Sequence, residues 1–164
     1  MNDAGHDAPD PAAPAAGAPD SDAREANARG SDAGWRPLPH DGFAAQAGPV
    51  LHKPGRDGGL PRFALRVDGR HTNVHGIAHG GALMTLADTG LGISVWEAAG
   101  RKPCVTVQFG IQFLDAVQPG ELVELDAEVL RLSASVVFMR GVLRCGARRV
   151  ASAEGVWKLI RPKG

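Results

Sequence analysis

Residues 73–96, NVHGIAHGGALMTLADTGLGISVW, join a glycine-punctuated loop to a helical run with one carboxylate, Asp88, in its middle. A carboxylate in so apolar a segment is costly unless it is paired, hydrogen-bonded or part of a site. The run begins at His79 or Gly80, continues to Ala99, and is stopped by Gly100 with Pro103 beyond. At about 1.5 Å per residue it spans roughly 30 Å. Small or apolar residues occupy nearly every face, so the helix is expected to be covered all round.

The flanks read as strands. Ahead of the loop, GPVLHKP, the turn-rich GRDGGLP and Arg62–Val67 (RFALRV) form a hairpin. Behind the helix, Cys104–Phe113 alternates, with Val105, Val107, Phe109, Ile111 and Phe113 expected on one face and Thr106, Gln108 and Gln112 on the other. Leu122–Leu132, Val136–Leu143 and Arg148–Ile160 follow, separated by the turns DAVQPGE, SAS and CGA. The inventory is two strands, one buried helix and four strands. A sheet of about six antiparallel strands that must bury a whole helix has to curl around it, which makes the chain an α+β protein.

Residues 1–34 are Ala, Pro, Asp, Gly and Ser with almost no branched or aromatic side chain, and are expected to form a disordered tail. Residues 35–164 are expected to form one domain, entered through Trp35–Gly48 with a short helix around Phe43–Gln46. The tail holds seven acids and two bases, leaving the domain with 16 bases and 11 acids. That mild excess, with aromatics at 5% of the chain, argues against nucleic acid. Gly80–Trp96 contains Asp88, two threonines and four glycines, which argues against a membrane span. Cys104 and Cys145 show neither CxxC nor His-ligand spacing, so they are read as buried thiols, with no metal and no cofactor. The N-terminus has no basic and apolar signal pattern, so a cytoplasmic protein is expected.

The chemistry centres on the helix. Gly80 and Gly81 lie where backbone N–H groups lack intrahelical partners, and glycine admits a ligand atom close to that backbone. Such a spot stabilises charge developing on a carbonyl oxygen. Asp88 is its natural partner, as nucleophile or as the base that activates water. Eight residues separate Gly80 from Asp88, about 12 Å along the axis, whereas both groups must reach one carbonyl. One helix cannot place them together, but two antiparallel copies related by a two-fold axis would create two identical shared sites. A homodimer is therefore expected, with a dimer of dimers left open.

Asn73-x-x-Gly76-x-x-His79-Gly80-Gly81 followed by Asp88 resembles the signature of the hotdog-fold acyl-CoA thioesterases, in the branch related to the phenylacetate-degradation thioesterases. The resemblance covers most of the chain outside the tail and implies acyl-CoA hydrolysis to free acid and CoA. It implies that Asp88 attacks the thioester or activates water, that Gly80 gives the oxyanion N–H, and that Asn73 and His79 orient the carbonyl and the loop. It further implies that Thr106, on the following strand, assists the attacking water. Plain readings stand beside these: a turn for Asn73, a helix cap for His79 and an ordinary strand position for Thr106. Arg131, Arg144, Arg148, Arg149 and Lys158 are candidates for the nucleotide end of CoA, or solvated strand residues. A hotdog hydratase would place a histidine soon after the aspartate, and TGLGISVW has none. A non-catalytic acyl-CoA-binding or ligand-sensing hotdog protein remains the alternative.

Overall fold

A computed structural model describes residues 34–39 and 42–160. The tail expected over residues 1–34 lies, apart from Gly34, outside the described residues. Seven antiparallel strands form one sheet: β1 (Arg36–Pro37), β2 (Leu51–Lys53), β3 (Arg62–Arg66), β4 (Cys104–Phe113), β5 (Leu122–Leu132), β6 (Val136–Cys145) and β7 (Arg148–Leu159). Their order across the sheet is β1-β2-β3-β5-β6-β7-β4, which leaves β4 on an edge. The expected six strands gain the two-residue β1, which pairs with β2. Four residues form α1 (Phe43–Gln46), and the long helix α2 runs over Gly80–Ala98. Gly100, at φ 67°, follows its end. This architecture is the hotdog arrangement, a curled sheet around a single long helix.

The core lies between α2 and the concave face of the sheet. Leu83, Leu86, Ala87, Leu91 and Val95 of the helix pack with Phe63, Leu65, Val123, Leu125, Val137, Met139, Leu143 and Trp157. The convex face carries charge instead, including the pairs Arg62–Glu124, Arg140–Glu128 and Arg144–Asp126. Of these, the exposed Arg140–Glu128 pair contributes little to stability.

At Gly90 the helix lies close against the sheet. A Cβ there would sit 2.5 Å from Leu125 Cδ2 and 3.0 Å from Phe63 Cδ2, both on fully buried side chains. Replacing Gly90 with Ala gains helix propensity of at most about 1 kcal/mol, but the overpacking costs about 1–3 kcal/mol. Gly90→Ala is therefore expected to lose up to about 2 kcal/mol net, read as a lower denaturation midpoint in urea.

Two expectations are corrected. The helix is not covered all round by its own chain. Residues 83, 86, 87, 90, 91, 94 and 95 are buried, but Met84 and Trp96 are exposed, and Thr85, Asp88, Thr89, Gly92 and Ile93 are half-buried. One sheet can cover only one stripe, and the opposite stripe stays open. The alternation of β4 also breaks. Its pairing with β7 slips between Thr106 and Gln108, so Val107 has no partner opposite it. This bulge shifts the phase by one residue. Cys104 and Thr106 before it face the helix, as their bonds to Gly92 and Asp88 show. Phe109 and Ile111 after it pack on the core. Val105 and Val107, expected on the same face as these two, are exposed.

Among the described residues no helix is long and apolar enough to cross a membrane, and no cluster of His, Cys, Asp and Glu is arranged to hold a metal ion.

Candidate active site

The loop between β3 and α2 is tied down at each step. Asp68 caps the short helical turn Gly69–His71, its carboxylate accepting from Arg70 N–H at 2.9 Å while His71 Nδ1 accepts the Asp68 N–H at 3.0 Å. His71 is buried, and its Nε2 lies 2.7 Å from the Ala47 carbonyl. Since Nδ1 accepts, Nε2 carries the proton and donates to that carbonyl. Gly48 leaves room for the ring: its φ is +97°, and a Cβ would fall 2.2 Å from Nε2. His71 is thus a buried strut. Its carbonyl accepts the His79 N–H at 2.6 Å and so sets where α2 begins.

His79 takes the N-cap position, Nδ1 accepting from Gly81 N–H at 2.9 Å. Its side chain therefore does the structural work that the plain reading assigned to it. Asn73 is likewise engaged with its own turn: Oδ1 accepts from His75 N–H at 2.8 Å, and its N–H donates to Ile77 O. Gly80 opens the helix. Among the described residues nothing accepts its N–H, as expected of a first-turn donor. The tip of the Phe113 ring lies where a Gly80 Cβ would be, at 2.8 Å. Asn73, Ile77, Gly80, Leu83, Phe113 and Asp115 line a cavity of about 480 Å³ at this end of α2.

The far wall of that cavity is the 114–117 segment, which Arg148 holds. Its guanidinium donates to Asp115 Oδ2 at 2.8 Å, to Ala116 O at 2.6 Å and to both carboxylate oxygens of Glu121 at 2.7 and 2.9 Å. That guanidinium keeps the Asp115 carboxyl below the usual carboxylate range. Ala78 N–H donates to Val117 O at 2.8 Å, coupling the clamped segment to the start of α2. Arg148 and Arg144, two of the basic residues considered for CoA, are thus engaged in ion pairs within the sheet.

Asp88 and Thr106 meet. The Thr106 hydroxyl donates to Asp88 Oδ1 at 2.9 Å across eighteen residues of sequence. The bulge after Thr106 lets the strand aim this hydroxyl at the helix while Phe109 and Ile111 keep the core filled. Asp88 is half-buried, and it lines a second cavity of about 570 Å³ with Thr89, Gly92, Ile93, Trp96, Cys104 and Trp157 among its walls. Burial, and then the Asp88 carboxylate, push the Cys104 thiol above its ordinary pKa, so this cysteine is no ready thiolate nucleophile.

The five residues singled out in the sequence therefore fall into two groups. Asn73, His79 and Gly80 gather at the N-terminus of α2, and Asp88 with Thr106 at its middle. The two cavities share no residue. Within one chain Gly80 and Asp88 line different openings, in keeping with about 12 Å of helix between them.

A thioesterase superfamily model matches residues 75–152. A Pseudomonas aeruginosa protein, PA0474, provisionally named an esterase, is 40% identical over 97 residues, which span 58% of this chain and 72% of that protein. Among solved structures, the conserved Pseudomonas aeruginosa protein PA5202 is 24% identical with a TM-score of 0.68, over 74% of this chain and 95% of that one. A hypothetical thioesterase from Streptococcus pneumoniae, solved with coenzyme A, is 23% identical with a TM-score of 0.62, over 70% of this chain and 88% of that one. The two structures share the fold, and the sequence relative shares more than that. On these matches and on the loop, helix and sheet described above, the chain belongs to the thioesterase superfamily.

Proposed function

We propose that this chain hydrolyses acyl-CoA thioesters to a free acid and CoA, at sites shared between two subunits. One observation carries the reading: a half-buried carboxylate, Asp88, opens on a cavity with one oxygen held by Thr106 at 2.9 Å and the other without a hydrogen-bond partner among the described residues. A positioned carboxylate with one oxygen left free towards an opening is what a general base or nucleophile requires. The coenzyme A bound in the Streptococcus pneumoniae structural neighbour supports CoA as the carrier.

In this reading the free Asp88 oxygen takes a proton from water as that water attacks the thioester carbon. The carbonyl oxygen becomes an oxyanion and accepts from the Gly80 N–H of the second subunit. Collapse then expels the CoA thiolate, which recovers the proton from Asp88. In the nucleophilic version Asp88 attacks first and expels the CoA thiolate to form a mixed anhydride, and water then hydrolyses that anhydride, freeing the acid and the Asp88 carboxylate and releasing the proton that the thiolate takes up. Thr106 serves either version by fixing the carboxylate's rotation.

The open stripe of α2 and the unpaired edge of β4 support a dimer. Val105, Val107 and Phe113 on that edge, with Met84 and Trp96 on the helix, are exposed apolar side chains. An unpaired edge of ten residues invites pairing with a second copy. A two-fold axis there would bring the start of one helix towards the middle of the other.

The test is release of free thiol from short, branched, aromatic and long-chain acyl-CoAs by the purified chain. Turnover of at least one series is expected, and tight binding with no turnover in any series would contradict the reading. Thr106→Val keeps the β-branched shape and removes the bond to Asp88, and should lower kcat about tenfold, or about 1.4 kcal/mol. An unchanged kcat would remove Thr106 from the site.

A further inference from the structure

Trp157 lies next to Thr106 in the sheet, paired with it across β4 and β7 and 1% exposed. Its benzo edge is packed: a Cβ on Gly155 would meet Cη2 and Cζ3, and Phe109 stands edge-on at 6.4 Å. The pyrrole edge differs. Nε1–H is buried and has no hydrogen-bond partner among the described residues. A buried donor without an acceptor is expensive and calls for an explanation. Gly92 supplies one. A Cβ built on it would lie 3.5 Å from Nε1 and, outside its chain neighbours and its own helix backbone, within 4 Å of no other atom, so the missing side chain leaves room beside this buried N–H. Gly92, Trp157 and Asp88 line the same cavity.

Resting on the thioesterase reading, we propose that Trp157 Nε1–H selects acyl groups bearing an uncharged hydrogen-bond acceptor, a ketone, ether or hydroxyl oxygen, four to five bonds from the thioester carbon. The distance follows from the helix: Asp88 and Gly92 are one turn apart, about 6 Å along the axis. The acyl group rather than the CoA arm takes this wall, because Ile93, Trp96, Pro103 and Val105 line it and no Lys or Arg does. An anionic acyl terminus would meet the Asp88 carboxylate with no cation to balance it, so the acceptor is neutral. A site built around a buried donor rejects the analogue that leaves it unpaired.

The test compares 5-oxohexanoyl-CoA with hexanoyl-CoA in the full chain. The wild type should show kcat/KM higher for the oxo substrate by about tenfold or more. Trp157→Phe removes the donor and should bring the two substrates to near equality. Gly92→Ala places a methyl group in ordinary contact with Nε1, blocks the approach without a clash, and should erase the preference at an undiminished melting temperature. This second variant keeps the test sound if Trp157→Phe folds poorly. Equal or lower kcat/KM for the oxo substrate in the wild type overturns the proposal, as does a preference that survives both variants. Loss of both activities in equal proportion in Trp157→Phe, the signature of a contact with the CoA arm, also overturns it. Turnover of both substrates without preference sinks this inference alone, whereas turnover of neither sinks the thioesterase reading with it.

Discussion

Asp88→Asn is expected to lower kcat for thioester hydrolysis by about 10²–10⁴-fold, the range supplied by a positioned general base. The substitution is close to isosteric, and the side-chain oxygen can still accept from Thr106 Oγ1, so the 2.9 Å bond need not be lost. What disappears is the basicity of the second oxygen. KM should change little, because Asp88 interacts with the water and the developing transition state rather than with the resting thioester. Circular dichroism and the oligomeric state should match the wild type. A variant with undiminished kcat would remove Asp88 from the reaction, and one that unfolds would reassign the carboxylate to structure.

The second large effect is expected at Gly80. Proline there removes the N–H and little else in the backbone, since the first helical position tolerates proline. His79, at φ −66° and ψ 135°, already has the extended conformation that a following proline requires. Loss of one oxyanion donor should lower kcat by about 10²–10³-fold. Steric change is the competing explanation, because any Cβ at Gly80 meets the Phe113 ring tip. Gly80→Ala carries the same Cβ and keeps the N–H, and the exposed Phe113 ring has room to turn aside. Ala should therefore retain most of the activity that Pro loses. Equal losses in Ala and Pro would assign the effect to Phe113 and the pocket shape, not to the oxyanion.

The limits of α2 and of β4 and β5 were legible because local chemistry marks them: the His79 cap, Gly100 and the GELVEL turn exit act within a few residues of the ends they define. The resemblance marked Thr106 as an aid to the attacking water, whereas its bond to Asp88 depends on the bulge at Val107. That bulge was not legible. Alternation through VTVQFGIQF looks unbroken, and the phase shift arises only where β4 is paired with β7. His71 was missed for a related reason, since its buried role depends on the Ala47 carbonyl and on Gly48, more than twenty residues upstream. The open stripe on α2 was masked by composition. Met84, Ile93 and Trp96 are as apolar as the buried stripe, and no pattern within the helix distinguishes a face covered by this chain's sheet from one left for a second copy. Trp157 gave no sign of an unpaired N–H, because the closeness of its indole to Gly92 is purely tertiary.

The central claim is that Gly80 of one subunit and Asp88 of the other act on the same thioester, and mixing two inactive variants tests it directly. Asp88→Asn chains supply Gly80, and Gly80→Pro chains supply Asp88. When equal amounts are unfolded together and refolded, about half of the dimers are mixed, and each mixed dimer holds one intact site and one doubly defective site. Thiol release should therefore recover to about one quarter of the wild-type rate. A mixture no more active than its two components, with mixed dimers verified by mass, would contradict the shared site.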